Sequence, residues 1–122
     1  MTAAAKRILV VCRRPPYGES YGREALDMAM ATAAFDQRVA LLFLGDGALQ
    51  LVAGQQAVAI GQKALDKQLS ALPLYDVTEL YIDAEALRRR GLADAGLALP
   101  ATALEPAEIA ALLASQDIVL GF

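Results

Sequence analysis

Histidine and tryptophan are both missing from this sequence, and cysteine occurs once, at position 12. Without an imidazole, neither a Ser-His-Asp triad nor a Cys-His dyad can be assembled within the chain. A lone thiol cannot close an internal disulfide, and it leaves a zinc or iron–sulfur site short of soft ligands. No Gly-x-Gly-x-x-Gly and no Gly-Lys-Ser/Thr occurs, so dinucleotide and nucleoside-triphosphate loops have no support and no cofactor is expected. Nothing approaches the roughly 18 apolar residues of a membrane-spanning helix. The apolar run after Lys6 and Arg7 stops at Cys12, short of a signal-peptide core. The chain therefore reads as cytoplasmic, in a reducing compartment, with no membrane partner.

A surplus of positive charge is missing as well. Eleven basic residues face 14 acidic ones, for a net charge of −3, where a nucleic-acid module gathers a basic stripe. Direct nucleic-acid binding is not expected. The two local clusters, Arg13-Arg14 and Arg88-Arg89-Arg90, read as solvated loop and helix-end charge.

What the sequence has is apolar content: 57% hydrophobic against 20% charged over 122 residues. That suits a single domain, spanning 1–122, whose sheet is covered by helices on both faces, or a subunit that buries surface against partners. The stretch from Arg7 to Cys12 reads as a buried strand. Behind it come a loop stiffened by Pro15 and Pro16 and a helix with Leu26, Ala29, Met30 and Ala33 on one face. Ser20 is a candidate N-cap for that helix, and Glu24 suits its positive end. Val39–Leu44 is a continuous apolar run, as a strand buried on both faces requires. Gly45-Asp46-Gly47 ends it, with a short helical turn over Ala48–Val52. Gln62–Leu72 reads as a helix with Leu65, Leu69 and Leu72 on one side, stopped by Pro73. Glu79–Ile82 is a third strand, followed by a helix through Arg90 that Gly91 terminates. Leu97–Thr102, interrupted by Pro100, reads as a short edge strand. Pro106 opens a helix with Ile109, Leu112 and Leu113 inward, and Ile118–Phe122 is the last strand. The alternation implies an α/β fold: a three-layer α/β/α arrangement with a mostly parallel five-stranded sheet.

In such sheets ligands gather beyond the strand C-termini, which directs attention to the loop after Cys12 and to Asp46 and Asp83. Cys12 cannot be a phosphatase nucleophile, because the Cys-x5-Arg loop would need arginine where Gly18 stands. A phosphate-accepting receiver needs acids where Cys12-Arg13-Arg14 lies and a lysine where the chain has Gly121-Phe122. Asp46 and Asp83 read either as a carboxylate pair for acid–base work or as cap and turn formers. Cys12 reads either as an inert thiol or as a nucleophile whose pKa Arg13 and Arg14 lower.

Several stretches together resemble one family. They are Pro16-Tyr17-Gly18 and the run Gly22-Arg23-Glu24-Ala25-Leu26-Asp27. Leu42-Phe43-Leu44-Gly45-Asp46-Gly47-Ala48-Leu49-Gln50-Leu51 follows, then Gly54-Gln55 and Leu74-Tyr75-Asp76. Leu87 to Leu92 and the ending Asp117 to Phe122 complete the set. In this order, over essentially the whole chain, they are similar to the DsrE/DsrF/DsrH family, and most to its DsrF-like (TusC-type) branch.

The resemblance implies the same α/β fold. It also implies a cytoplasmic 2:2:2 heterohexamer with TusB-like and TusD-like siblings, which relays sulfur as a persulfide between TusA-like and TusE-like carriers for 2-thiolation of a tRNA wobble uridine. In the family's sulfur-carrying subunit a cysteine follows the third strand, and Asp83 stands at or near that place here. Persulfide transfer needs a thiolate, so a non-catalytic, scaffolding subunit is expected. Contacts with siblings are expected around Tyr17, Gly18, Arg23, Glu24, Asp46, Gln50 and Asp83. Three alternatives stand beside this: a sulfurtransferase working through Cys12, a subunit of a sulfur-oxidation (Dsr) complex, and a free-standing small-ligand or regulatory domain.

Overall fold

A computed structural model describes residues 6–13, 21–51, 69–94, 96–97 and 99–122. The strands are β1 (Arg7–Cys12), β2 (Arg38–Phe43), β3 (Glu79–Asp83), β4 (Thr102–Leu104) and β5 (Ile118–Gly121). The described helices are α1 (Tyr21–Ala33), α2 (Ala84–Arg89) and α3 (Pro106–Ala114), with 3-10 turns at Gly45–Leu51 and Leu72–Tyr75. The five strands lie in the order β4-β3-β2-β1-β5, and every pairing is parallel. This is the α/β sheet that the sequence pattern implies, parallel throughout.

Burial follows from the sequence of the two central strands. After a charged first residue, β1 and β2 are buried at every position, because neighbours and helices cover both their faces. Val10, Cys12, Val39, Leu41, Phe43, Leu80 and Ile82 meet Ala25, Leu26 and Ala29 of α1 and Ala86 and Leu87 of α2. On the opposite face, Leu9, Val11, Ala40 and Leu42 meet Leu104 of β4 and Ile109 of α3. Right-handed crossovers account for the division: the chain steps outward from β1 to β4 and then returns past β1 to place β5, so α3 crosses the other face. Each fully buried Leu or Phe contributes about 1.5–3 kcal/mol.

The differences from the sequence reading are local and have identifiable causes. β4 forms at Thr102–Leu104, two residues past the proline, rather than over Leu97–Thr102; Pro100 has no N–H to give a ladder. β2 runs one residue earlier, from Arg38 to Phe43, and the Leu44 N–H closes the β1–β2 ladder on the Cys12 carbonyl at 2.9 Å. Residues 69–71 are helical, and the α-helix ends at Ala71, one residue short of the expected bound and just before Pro73. That proline sits in the first positions of the following 3-10 turn, which ends at Asp76 in the left-handed region (φ 61°). Leu65 and residues 62–68 lie outside the described residues. Leu113, expected inward, is 36% exposed, whereas Ile109 is buried. α2 ends at Arg89, with Arg90 as its cap and Gly91 at φ +67° beyond it.

Candidate functional site

The C-terminal ends of β1, β2 and β3 come together at the turn Gly45–Leu51. The Cys12 carbonyl receives the Leu44 N–H at 2.9 Å, and the Leu44 carbonyl receives the Gly47 N–H at 2.9 Å. Gly47 lies so close to β1 that a Cβ there would stand 1.8 Å from the Cys12 oxygen. Only glycine fits such an approach. Gly45 provides the second device, a left-handed backbone at φ +57°.

Asp83 joins this turn to α2. Its Oδ1 accepts the Ala86 N–H at 3.1 Å, as an N-cap, and its Oδ2 accepts the Gly45 N–H at 3.1 Å. Asp46 is exposed and is ion-paired with Arg90, the residue that caps the far end of α2. The two carboxylates therefore have separate engagements, one with main-chain amides and one with a guanidinium. The arrangement is that of caps and clamps, the structural alternative left open above.

Cys12 is 1% exposed, and burial pushes its thiol up to about 12. Burial alone sets this direction, and no lowering by Arg13, the alternative left open above, opposes it. Arg13 is exposed, and its guanidinium lies along Gly121, 3.5 Å from where a Cβ would sit. At neutral pH the folded chain holds Cys12 as a neutral thiol enclosed in the core, without the thiolate that nucleophilic attack requires.

The remaining candidates are spread more widely. Gln50 is buried at 4% exposure within the Gly45–Leu51 turn. Glu24 is exposed in the first turn of α1, and Arg23 stands beside it in the sequence of that turn. Tyr17, Gly18 and Arg14, with the rest of residues 14–20, lie outside the described residues. The sequence reading missed the partners of the arginine run. Arg88 forms a two-pronged pair with Glu105 at 2.7 and 2.6 Å, Arg89 pairs with Glu85 at 2.9 Å, and Arg90 takes Asp46. Hydrogen bonding from Arg88 holds the Glu105 carboxyl below its ordinary range. The signal for Arg89 was present as an i, i+4 spacing; the other two partners are 17 and 44 residues away. No group of three or more His, Cys, Asp or Glu side chains among the described residues could hold a metal ion. No helix among them is long and apolar enough to cross a membrane.

Fold and site together define a parallel α/β protein whose strand-end rim is fastened by main-chain and ionic bonds, with its thiol sealed below. The chain belongs to the DsrE/DsrF-like family, whose model matches residues 6–122. It is 42% identical over 116 residues to the Protein TusC homolog of Pseudomonas aeruginosa, covering 95% of this chain and 98% of that one. Among solved structures it is similar to the ychN protein from E. coli, with a TM-score of 0.81 over 96% of this chain and 99% of that one. At 21% identity that likeness establishes the fold.

Proposed function

We propose that this chain is a non-catalytic, cytoplasmic subunit of a TusBCD-type sulfur-relay complex that supports 2-thiolation of the tRNA wobble uridine. Its role there is to hold a cysteine-bearing sibling in working geometry. The observation that carries this reading is the state of Asp83. At the end of the third strand, where the family resemblance calls for a sulfur-carrying cysteine, stands a carboxylate with both oxygens engaged by main-chain N–H groups. A carboxylate cannot attack a sulfane sulfur. The other sulfur atom that could serve, Cys12, is enclosed and protonated. Membership of the family and the 42% identity to a TusC homolog support the placement in the relay.

The test is to produce the chain with its TusB-like and TusD-like siblings, load the complex with labelled sulfane sulfur, and locate the label by mass spectrometry. The label is expected on the sibling alone, and the Cys12→Ala complex is expected to transfer sulfur at the wild-type rate. A persulfide trapped on this chain, or loss of transfer in Cys12→Ala with the complex intact, would overturn the reading.

A further inference from the structure

The sheet has two edges, β4 and β5, and they are finished very differently. β4 is three residues long, lies between Pro100 and Pro106, and is followed by Glu105 in its pair with Arg88. Short length, proline and charge are the devices that keep an edge from recruiting another strand. β5 is one residue longer and has neither of the other two. It reads Ile118-Val119-Leu120-Gly121, with no charge and no proline. In register with Ile8 and Leu9, Ile118 and Val119 point to opposite faces of the sheet, yet they are 38% and 45% exposed. Phe122 donates its N–H to the Val11 carbonyl at 2.9 Å, and its own carbonyl accepts the Arg13 N–H at 3.0 Å. By the alternation of a strand, the N–H groups of Leu120 and Ile118 also turn toward β1, and those of Val119 and Gly121 point to the outer side. No strand lies there among the described residues.

We propose that β5 pairs with the β5 of a second copy of this chain, antiparallel across a two-fold axis, so that two five-stranded sheets become one. An open edge calls for extended backbone as its partner. The same segment of a second copy supplies it, and being uncharged it brings no like charges face to face. An isologous contact of this kind closes on itself and limits the pairing to two copies. The inference rests on the proposed function for the presence of two copies in one assembly.

The experiment compares the full chain, produced with its siblings, as wild type, Val119→Lys and Thr102→Lys, with assembly mass read by sedimentation velocity. Val119→Lys is expected to halve the mass while keeping its siblings, and Thr102→Lys, on the guarded edge, to leave the mass unchanged. In the wild-type assembly, the amides at positions 119 and 121 are expected to exchange hydrogen at least about 10-fold more slowly than in the Val119→Lys half-assembly. Should Val119→Lys fail to fold, exchange in the wild type decides: these two amides are protected if the strands pair and fast if they do not. An unchanged mass for a folded Val119→Lys, or fast exchange at Val119 and Gly121 in the wild type, overturns the proposal. Loss of a sibling while two copies of this chain stay together assigns the edge to that sibling and also overturns it. A wild-type chain that never joins the siblings but forms a dimer that Val119→Lys splits upholds the pairing and defeats the relay reading instead.

Discussion

Asp83 Oδ2 accepts the main-chain N–H of Gly45 at 3.1 Å, across 38 residues of sequence. With Oδ1 on the Ala86 N–H, a single carboxylate fixes both the start of α2 and the turn after β2. The turn is thereby held against the end of β1, where Gly47 meets the Cys12 carbonyl. The three strand ends that could have framed a reactive crevice are fastened to one another.

Asp83→Ala removes the cap and the bond to Gly45 together. A lost cap costs about 0.5–2 kcal/mol and a lost hydrogen bond about 1 kcal/mol, so destabilisation of about 1–3 kcal/mol is expected. Asp83→Asn keeps one acceptor oxygen and should fall between the two. Urea denaturation measures all three proteins. An alanine variant within about 0.3 kcal/mol of wild type would show that the two bonds contribute nothing net.

Gly47→Ala places a methyl group 1.8 Å from a backbone oxygen that cannot move aside alone, since the Cys12 carbonyl also holds Leu44. Either the turn lifts from β1 or the end of β1 is displaced. Loss of about 2–4 kcal/mol, with a lowered melting temperature, is expected. Gly96→Ala is the control: nothing lies within 4 Å of its added carbon, and it should stay within about 0.5 kcal/mol of wild type. Equal melting curves for the two variants would contradict the close approach.

Most of the sheet could be read from the sequence because its central strands are apolar at every position after the first. β1 was placed at its observed bounds, and β2, β3 and β5 to within one residue at either end. β4 was misplaced because Leu97 and Leu99 suggest a strand, while the missing N–H of Pro100 moves pairing past it. Asp46 and Asp83 were located correctly as strand-end residues, but their chemistry was undecided. Whether a carboxylate caps or catalyses depends on partners such as Gly45 and Arg90, which sequence separation conceals. The full enclosure of Cys12 could not be read outright, because a single cysteine at the end of an apolar run suits an inert core thiol without excluding a crevice.

The Asp46–Arg90 pair holds the far end of α2 to the turn, but the Asp46 side chain is 58% exposed. Solvent screening should limit the coupling to about 0.2–1 kcal/mol. A double-mutant cycle over Asp46→Ala and Arg90→Ala at low salt should return a value in that range, shrinking as salt rises. A coupling above about 2 kcal/mol would indicate a desolvated pair and contradict the exposure.

The Cys12 thiol yields a prediction with a definite direction in pH. Its pKa is raised from 9.0 to about 12 in the folded chain by burial. The unfolded chain therefore loses this proton first as pH rises. The contribution of the neutral buried thiol to stability is fully present below pH 9.0, declines above it, and is lost as pH approaches about 12. Midpoints of urea unfolding should thus fall from pH 8 to pH 10.5, and by less in Cys12→Ala, which has no thiol to ionise. Iodoacetamide supplies the kinetic counterpart, since it reacts with thiolate. At pH 8 the folded wild type should label only as fast as it opens, and the urea-unfolded chain at the rate of a free cysteine. Equal labelling of folded and unfolded chains would mean that Cys12 is open to solvent, and the sulfurtransferase reading through this residue would return.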